Sequence, residues 1–446
     1  MIWWMRRDLR LADNPALLKA LESDSPAAVF AWTPAIEQWS GRRRRHLAAT
    51  LNSLQERAAI TVRSGEAADV VLAAARERSA ATVWAAREYS PAGVREQDAV
   101  AAVLAADGRA LEFVGSPYAV APGRVLKGDG TPYAVFTPFS KAWRVHGWRA
   151  PAATADPTAL QYLGDSIDLA QEATRGAAED PLAVDIPHTE DDWQDALEAF
   201  VDTHLAAYPD SRDRPDLDIT SRLSIAMALG QLHPRTILAA VADAVAREPG
   251  LARAAEVFTS ELAWREFHAD VLHHYPSAQR TSLKPVVPDE AWASGPDAEA
   301  AFALWQQGLT GFPLVDAGMR ELAATGTMHN RVRMVVASFL VKDLHLPWQR
   351  GADHFRDTLL DYDHAQNQLN WQWVAGTGRD AAPYFRVFNP TAQFERFDPQ
   401  ATYVKRWVPE YQTAAYPSPM VDHATERDIA LADYRAARSH CRDGTA

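Results

Sequence analysis

Four short runs of this 446-residue chain set polar, aromatic and charged side chains at spacings that could do chemistry. In Glu261-Leu-Ala-Trp264-Arg265-Glu-Phe-His268, the residues Glu261, Trp264, Arg265 and His268 lie three or four apart and share one face of a helix. A carboxylate, an indole, a guanidinium and an imidazole make a stripe too polar for a core and too aromatic for a solvated surface. It reads either as a buried structural network or as a site, since both perturb charged groups. In His329-Asn330-Arg331-Val332-Arg333-Met334, Asn330 and Met334 lie one turn apart and can face one cavity, although methionine fills cores more often than sites. The run Asp361-Tyr-Asp363-His-Ala-Gln-Asn367-Gln-Leu-Asn-Trp371-Gln-Trp373 puts Asn367 and Trp371 at i,i+4 on a helix. Trp373 then lies about 200° round from Trp371 and addresses a different neighbour. Thr220-Ser221-Arg222-Leu223-Ser224 precedes an apolar helical run, where hydroxyls cap the helix or join its free amides in holding a phosphate.

The elements that must position these runs fall into two kinds. Over residues 1–130, short apolar runs alternate with helix-period segments, which predicts a five-stranded parallel sheet with helices on both faces. Strands are expected near Ile2–Met5, Ala27–Trp32, Ile60–Arg63, Thr82–Ala86 and Leu111–Val114, with helices between them. This is a Rossmann-like α/β domain whose first turn reads Arg6-Arg7-Asp8-Leu9-Arg10 rather than a glycine-rich phosphate cradle. Residues 131–190, rich in Ala, Pro, Asp and Thr, read as a long connector, and residues 191–446 as an all-α domain.

Composition narrows the function classes. A formal charge of −13 excludes a protein that coats nucleic acid nonspecifically, so any DNA site must be a local basic patch. The basic run Arg42 to Arg45 reads as a solvated helix face. A single cysteine, Cys441, argues against disulfides, zinc ribbons and thiol catalysis, and no metal is expected. No secretory pattern opens the chain and no apolar run approaches the ~20 residues of a membrane span, so with its single cysteine the protein is expected in a reducing cytoplasm, and it is expected as a monomer. Most of the 15 tryptophans read as packing.

Taken together the runs resemble the signature blocks of the photolyase/cryptochrome family. The blocks are Thr220 to Ser224, Glu261 to Phe267, Trp305-Gln-Gln-Gly-Leu-Thr-Gly-Phe-Pro to Arg320, Met328 to Met334, Trp371-Gln-Trp373 and Ala382-Pro-Tyr-Phe-Arg-Val-Phe-Asn-Pro390. They stand in the family's order, and Arg6-Arg-Asp-Leu-Arg-Leu-Ala-Asp-Asn14 resembles its N-terminal block, so the likeness spans nearly the whole chain. The resemblance implies FAD in the helical domain, active when reduced and anionic, with Tyr208, Thr220, Ser221, Arg222, Leu223, Ser224, Arg265, Asn330, Arg333, Asp361, Asp363 and Asn367 at its site. Arg333 and Asp361 would pair beside the flavin, and Asn367 would face its reactive ring nitrogen. It further implies an electron relay from flavin to surface through Trp371, Trp348 and Trp305 in that order.

On the substrate side the likeness is to the class I branch that repairs cyclobutane pyrimidine dimers by light-driven electron transfer to a flipped-out dimer. Trp264 and Trp373 would wedge against the dimer, Glu261 would hydrogen-bond its base edge and Met334 would touch it. Arg212, Asn330, Arg331 and Gln393 would approach UV-damaged DNA. His329-Asn330 stands where the (6-4) branch carries a His-His pair, which argues against that repair. Folate-binding relatives carry Asn-Glu where this chain has Gly93-Val94. An antenna chromophore is therefore expected to be 8-hydroxy-5-deazaflavin rather than methenyltetrahydrofolate, or absent. The rival reading is a cryptochrome-type blue-light receptor.

Overall fold

The computed structural model describes residues 1–182, 184–284, 287, 291–379 and 386–443, with side chains described as far as residue 436. Its contacts divide the chain into two compact units. The first comprises Met1–Tyr133, Thr137–Pro209 and Thr220–Pro276; the second comprises Ala134–Phe136, Asp210–Ile219 and the chain from Ser277 onward.

In the first unit, β1 (Ile2–Met5), β2 (Ala27–Trp32), β3 (Ile60–Ser64), β4 (Thr82–Ala85) and β5 (Ala110–Phe113) form a sheet ordered β3-β2-β1-β4-β5. Every pairing is parallel, with Ile2 opposite both Ala27 and Val83. Strands covered on both faces read as unbroken apolar runs, and β1 and β2 are buried throughout. The period of two sends Trp3 and Met5 into one apolar cluster and Ile2 and Trp4 into the other. The covering helices are α1 (Pro15–Leu21), α2 (Pro34–Glu37), α3 (Gly41–Gln55), α4 (Ala67–Glu77) and α5 (Pro91–Ala106). Asn14 and Ser90 cap α1 and α5 by accepting from Leu17 N and Gly93 N, each just ahead of a proline in the first turn.

The expected connector contains α6 (Phe136–His146) and α7 (Leu169–Glu179). The apolar period gave no signal for α7 because only Leu169 and Gly176 are buried on it; what starts it is Asp168, whose carboxylate accepts from Gln171 N. Its end also corrects the solvated reading of the basic run. Arg42 pairs with Asp180 at 2.5 Å and Arg44 with Glu179, and both arginines are buried. The first unit continues through α8 (Glu190–Thr203), α10 (Ser224–Leu229), α11 (Pro234–Arg247) and α12 (Ala252–His274), and the short α9 (Tyr208–Ser211) is divided between the two units at Pro209.

The second unit is helical: α13 (Pro296–Gln307), α14 (Pro313–Thr325), α15 (Asn330–Lys342), α16 (Trp348–Thr358), α17 (His364–Ala375), α18 (Pro390–Phe397), α19 (Thr402–Trp407) and α20 (His423–Asp443). Its core gathers Trp305, Phe339, Trp348 and Trp371 with branched aliphatics. Among the described residues no helix is long and apolar enough to cross a membrane.

Candidate functional site

In the first unit, α12 presents the polar stripe in two layers. Glu261 and Trp264 are half-buried, while Arg265 and His268 behind them are buried. The Trp264 indole is braced by His268 at 5.5 Å and Phe267 at 5.7 Å between ring centroids. Arg265 donates from Nη1 to the Pro117 carbonyl at 2.9 Å and lies 4.7 Å over the Tyr118 ring. Next to it Glu266 accepts from the Ala119 and Val120 amides and the Trp143 indole. Burial pushes the Glu266 carboxyl up to about 7 against the pull of those three donors.

Tyr208 is buried between Phe200 and Phe258, edge-on to both. Beyond it, the capping expected of Thr220 and Ser221 does not occur: α10 starts after Leu223 with no side-chain cap. The backbone is left-handed at Asp218 (φ 50°) and at Arg222 (φ 51°), conformations that cost energy in a non-glycine residue and concentrate at ligand clamps. Leu223 is buried, Thr220 and Ser221 are half-buried, and Arg222 and Ser224 are exposed. The hydroxyl run therefore sits on a strained loop with the cap role unfilled, which fits a phosphate-bearing ligand.

In the second unit, α15 and α17 bring the next residues together. Arg333 Nη2 reaches both oxygens of Asp361, at 2.9 and 3.1 Å, and its Nε donates to the Met328 carbonyl at 2.7 Å. Asp363 starts α17 by accepting from Gln366 N at 3.1 Å. Asn367 Nδ2 donates to the Ala352 carbonyl at 2.9 Å and to Gln368 Oε1 at 2.8 Å, so its carboxamide is fixed with Oδ1 as the face that can accept. A fixed cation, a paired carboxylate and an oriented carboxamide fit an anionic, hydrogen-bonding ring system. Asn330 is exposed in the first turn of α15 and Met334 is half-buried on its next turn.

The indoles are distributed otherwise than expected. Trp371, one turn from Asn367, is 2% exposed, and its ring lies 6.4 Å from that of Trp305. Trp348 is 1% exposed and donates to Ser282 Oγ at 3.0 Å. Trp305 is 0% exposed and donates to the Val336 carbonyl at 3.2 Å, so the outermost place in a relay, which must meet solvent, does not fit it. A half-buried indole that the sequence reading missed, Trp292, packs on the same core. The next residue, Ala293, donates to the His345 carbonyl at 2.8 Å, three residues before Trp348. Trp292 stands outside any periodic run, so only its place thirteen residues ahead of Trp305 could have flagged it. Trp373 is half-buried against the core, as the opposite-facing indole of α17 should be.

Of the cations expected at DNA, Arg212 is half-buried, and Arg331 pairs with Asp213 at 2.7 Å. Gln393 is half-buried on α18. Residues 382–385 of the last signature block lie outside the described residues. At the N-terminal Gly93, a methyl group would stand 2.8 Å from Glu88 Cβ and 2.9 Å from Ser90 Oγ, so no larger residue fits that turn without rearrangement.

A parallel five-stranded α/β unit with a tryptophan-cored helical unit is the architecture of photolyases and cryptochromes. Residues 1–158 match the DNA photolyase family, and residues 258–415 match the FAD binding domain of DNA photolyase. The chain belongs to the DNA photolyase family and carries that family's FAD-binding domain. It is 36% identical to the deoxyribodipyrimidine photo-lyase of Agrobacterium fabrum, with 98% of each chain covered. It is similar to the crystal structure of a class III photolyase from Agrobacterium tumefaciens, with a TM-score of 0.85, 35% identity, and 98% of this chain and 97% of that one covered. A Synechocystis sp. PCC6803 cryptochrome gives a TM-score of 0.82 at 26% identity, covering 96% of this chain and 98% of that one.

Proposed function

We propose that this protein is a light-driven lyase that splits cyclobutane pyrimidine dimers in DNA. The observation that carries the reading is the layered stripe on α12. Glu261 and Trp264 stand half-exposed, His268 packs against Trp264 from the buried side and Arg265 is anchored on Pro117 and Tyr118, the arrangement of a surface that receives a ligand rather than of a buried network. Relatives named deoxyribodipyrimidine photo-lyase at 36% and 37% identity support the same substrate.

FAD, when bound, would supply the light-driven electron. Arg333, held by Asp361, offers a cation to an anionic ring, and Asn367 offers its carboxamide oxygen to a ring N–H. The hydroxyls from Thr220 to Ser224, with Tyr208, Arg265, Asn330 and Asp363, would hold the remainder. Trp371 and Trp348 pass electrons inward, and Trp292 rather than Trp305 is the solvent-side member. On the substrate side, Trp264 and Trp373 stack against the flipped dimer, Met334 touches it, and Glu261 hydrogen-bonds its base edge. Arg212, Asn330, Arg331 and Gln393 meet the flanking DNA. Gly93-Val94 stands where folate-binding relatives carry Asn-Glu, which supports 8-hydroxy-5-deazaflavin over a folate as the antenna chromophore, if the N-terminal unit holds one.

The test is Glu261→Ala. A hydrogen bond involving a charged group contributes about 1.5–3 kcal/mol, so dimer binding should weaken by roughly ten- to a hundredfold. Repair per absorbed photon should fall, and flavin content and photoreduction should stay near the parent. Unchanged binding and repair would remove Glu261 from the lesion site, absence of repair by the parent would favour a light receptor, and loss of FAD in the variant would assign Glu261 to the cofactor.

A further inference from the structure

Among the cations expected at DNA, Arg331 has its counter-charge built in. Its Nη2 meets Asp213 Oδ2 at 2.7 Å, with the arginine side chain 17% exposed and the aspartate 35%. The guanidinium carbon lies 4.7 Å from the Phe397 ring centroid, which Arg396 also approaches at 5.0 Å. The Arg331 amide donates to His329 Nδ1 at 3.2 Å, which fixes the start of α15. The pattern repeats one residue along, where Arg214 grips Asp216 through two bonds of 2.8 and 2.5 Å. The Asp210–Ile219 segment thus sets one carboxylate on Arg331 and another on its own Arg214, in a chain of formal charge −13.

We propose that Asp213 is an electrostatic brake on DNA binding that keeps Arg331 neutralised and so favours release of repaired duplex. The inference rests on the proposed function, in which Arg331 meets the DNA backbone. Binding of undamaged duplex derives from cations that replace condensed counterions at phosphates. A phosphate that approaches Arg331 meets the Asp213 carboxylate within the same few ångströms, so attraction and repulsion largely cancel. Lesion binding has further sources, the flipped base and its stacking and hydrogen-bonding partners, that this pair does not touch. Undamaged duplex is also the product of repair. A lesion enzyme with a full set of uncompensated cations would be held by its product and by the excess of intact DNA. Asp213 therefore limits affinity where tight binding serves no purpose.

The experiment measures binding of an undamaged duplex to the flavin-loaded protein over a series of salt concentrations. Asp213→Asn keeps the size of the side chain and an oxygen that can accept from Arg331, and it removes the charge. It should bind undamaged duplex about three- to tenfold more tightly at low salt. The slope of log affinity against log salt should steepen by about one phosphate equivalent, roughly 0.9. Asp213→Glu, which keeps the charge, should leave both values near the parent. Arg331→Gln should abolish the gain, so that Arg331→Gln and the double variant bind alike. Unchanged or weaker binding by Asp213→Asn, or a gain that survives in the double variant, would overturn the proposal. Failure of the functional reading is separately visible, as equal affinity of the parent protein for dimer-containing and undamaged duplex.

Discussion

The Trp371 indole occupies the space that any side chain at residue 351 would need: a methyl group there would overlap Trp371 Cη2 and stand 2.6 Å from Leu340 Cδ2. Helices α16 and α17 meet at this point, and the adjacent Ala352 carbonyl holds the Asn367 carboxamide at 2.9 Å. Gly351 thus sets the position of the indole and of the polar group one turn before it. Gly351→Ala should destabilise the protein by about 1–3 kcal/mol through overpacking, and slow flavin photoreduction by displacing Trp371. Chemical denaturation and illumination of the same sample measure both; a variant with parental stability and photoreduction would show that the two helices yield freely.

The Arg333–Asp361 pair, at 2.9 Å with Asp361 nearly buried, makes a second prediction. Asp361→Asn leaves the guanidinium without its charged partner and lets it move, so the purified variant should retain less than about a tenth of the parental FAD. The ratio of flavin to protein absorbance reads this directly. Full flavin occupancy would place the pair outside the cofactor site.

For the relay, Trp292→Phe and Trp348→Phe should each slow photoreduction by an external thiol at least about tenfold, since phenylalanine is much harder to oxidise than tryptophan. Trp305→Phe should leave the rate near the parent, because Trp305 is fully buried and packs against Trp371 rather than leading outward. A slow Trp305→Phe variant beside a normal Trp292→Phe variant would restore the order read from the sequence.

Acid should weaken the fold through its buried histidines. Burial pushes His46, His233 and His329 each down to about 4, and for His233 it outweighs the hydrogen bond to Asp13. A folded-state value below the unfolded ~6.5 means that the unfolded chain binds more protons between those limits. Their stabilisation is complete above about pH 6.5 and is lost as pH falls toward 4. Glu266, raised to about 7, acts in the opposite sense, its contribution declining as pH rises from about 4.5 to 7. Comparison with His46→Gln isolates one histidine: between pH 7 and pH 5 the parent should lose about 2 kcal/mol more than the variant. Equal losses would mean that His46 titrates normally.

The α/β sheet was legible because β1 and β2, buried on both faces, leave unbroken apolar runs, and because Asn14-Pro15 and Ser90-Pro91 mark helix starts. Helix α7 was not, since it adheres to α3 through arginine–carboxylate pairs such as Arg42–Asp180 that carry no apolar period. At the site, spacing alone put Asn367 and Trp371 on one face of α17. It could not show that Trp305 turns inward, because burial of an indole depends on helices far apart in the chain. Nor could it show that Arg331 finds Asp213, 118 residues away in sequence.

Repair of cyclobutane dimers under light can be read chemically on defined strands. The most direct measurement incubates the purified, flavin-reduced protein with two oligonucleotides, one carrying a cyclobutane pyrimidine dimer and one a (6-4) product, in blue light and in darkness, and quantifies intact pyrimidines by chromatography. The dimer-containing strand should be restored in light only, with the (6-4) strand unchanged in both conditions. A flavin that photoreduces normally while the dimer persists would contradict the proposed repair.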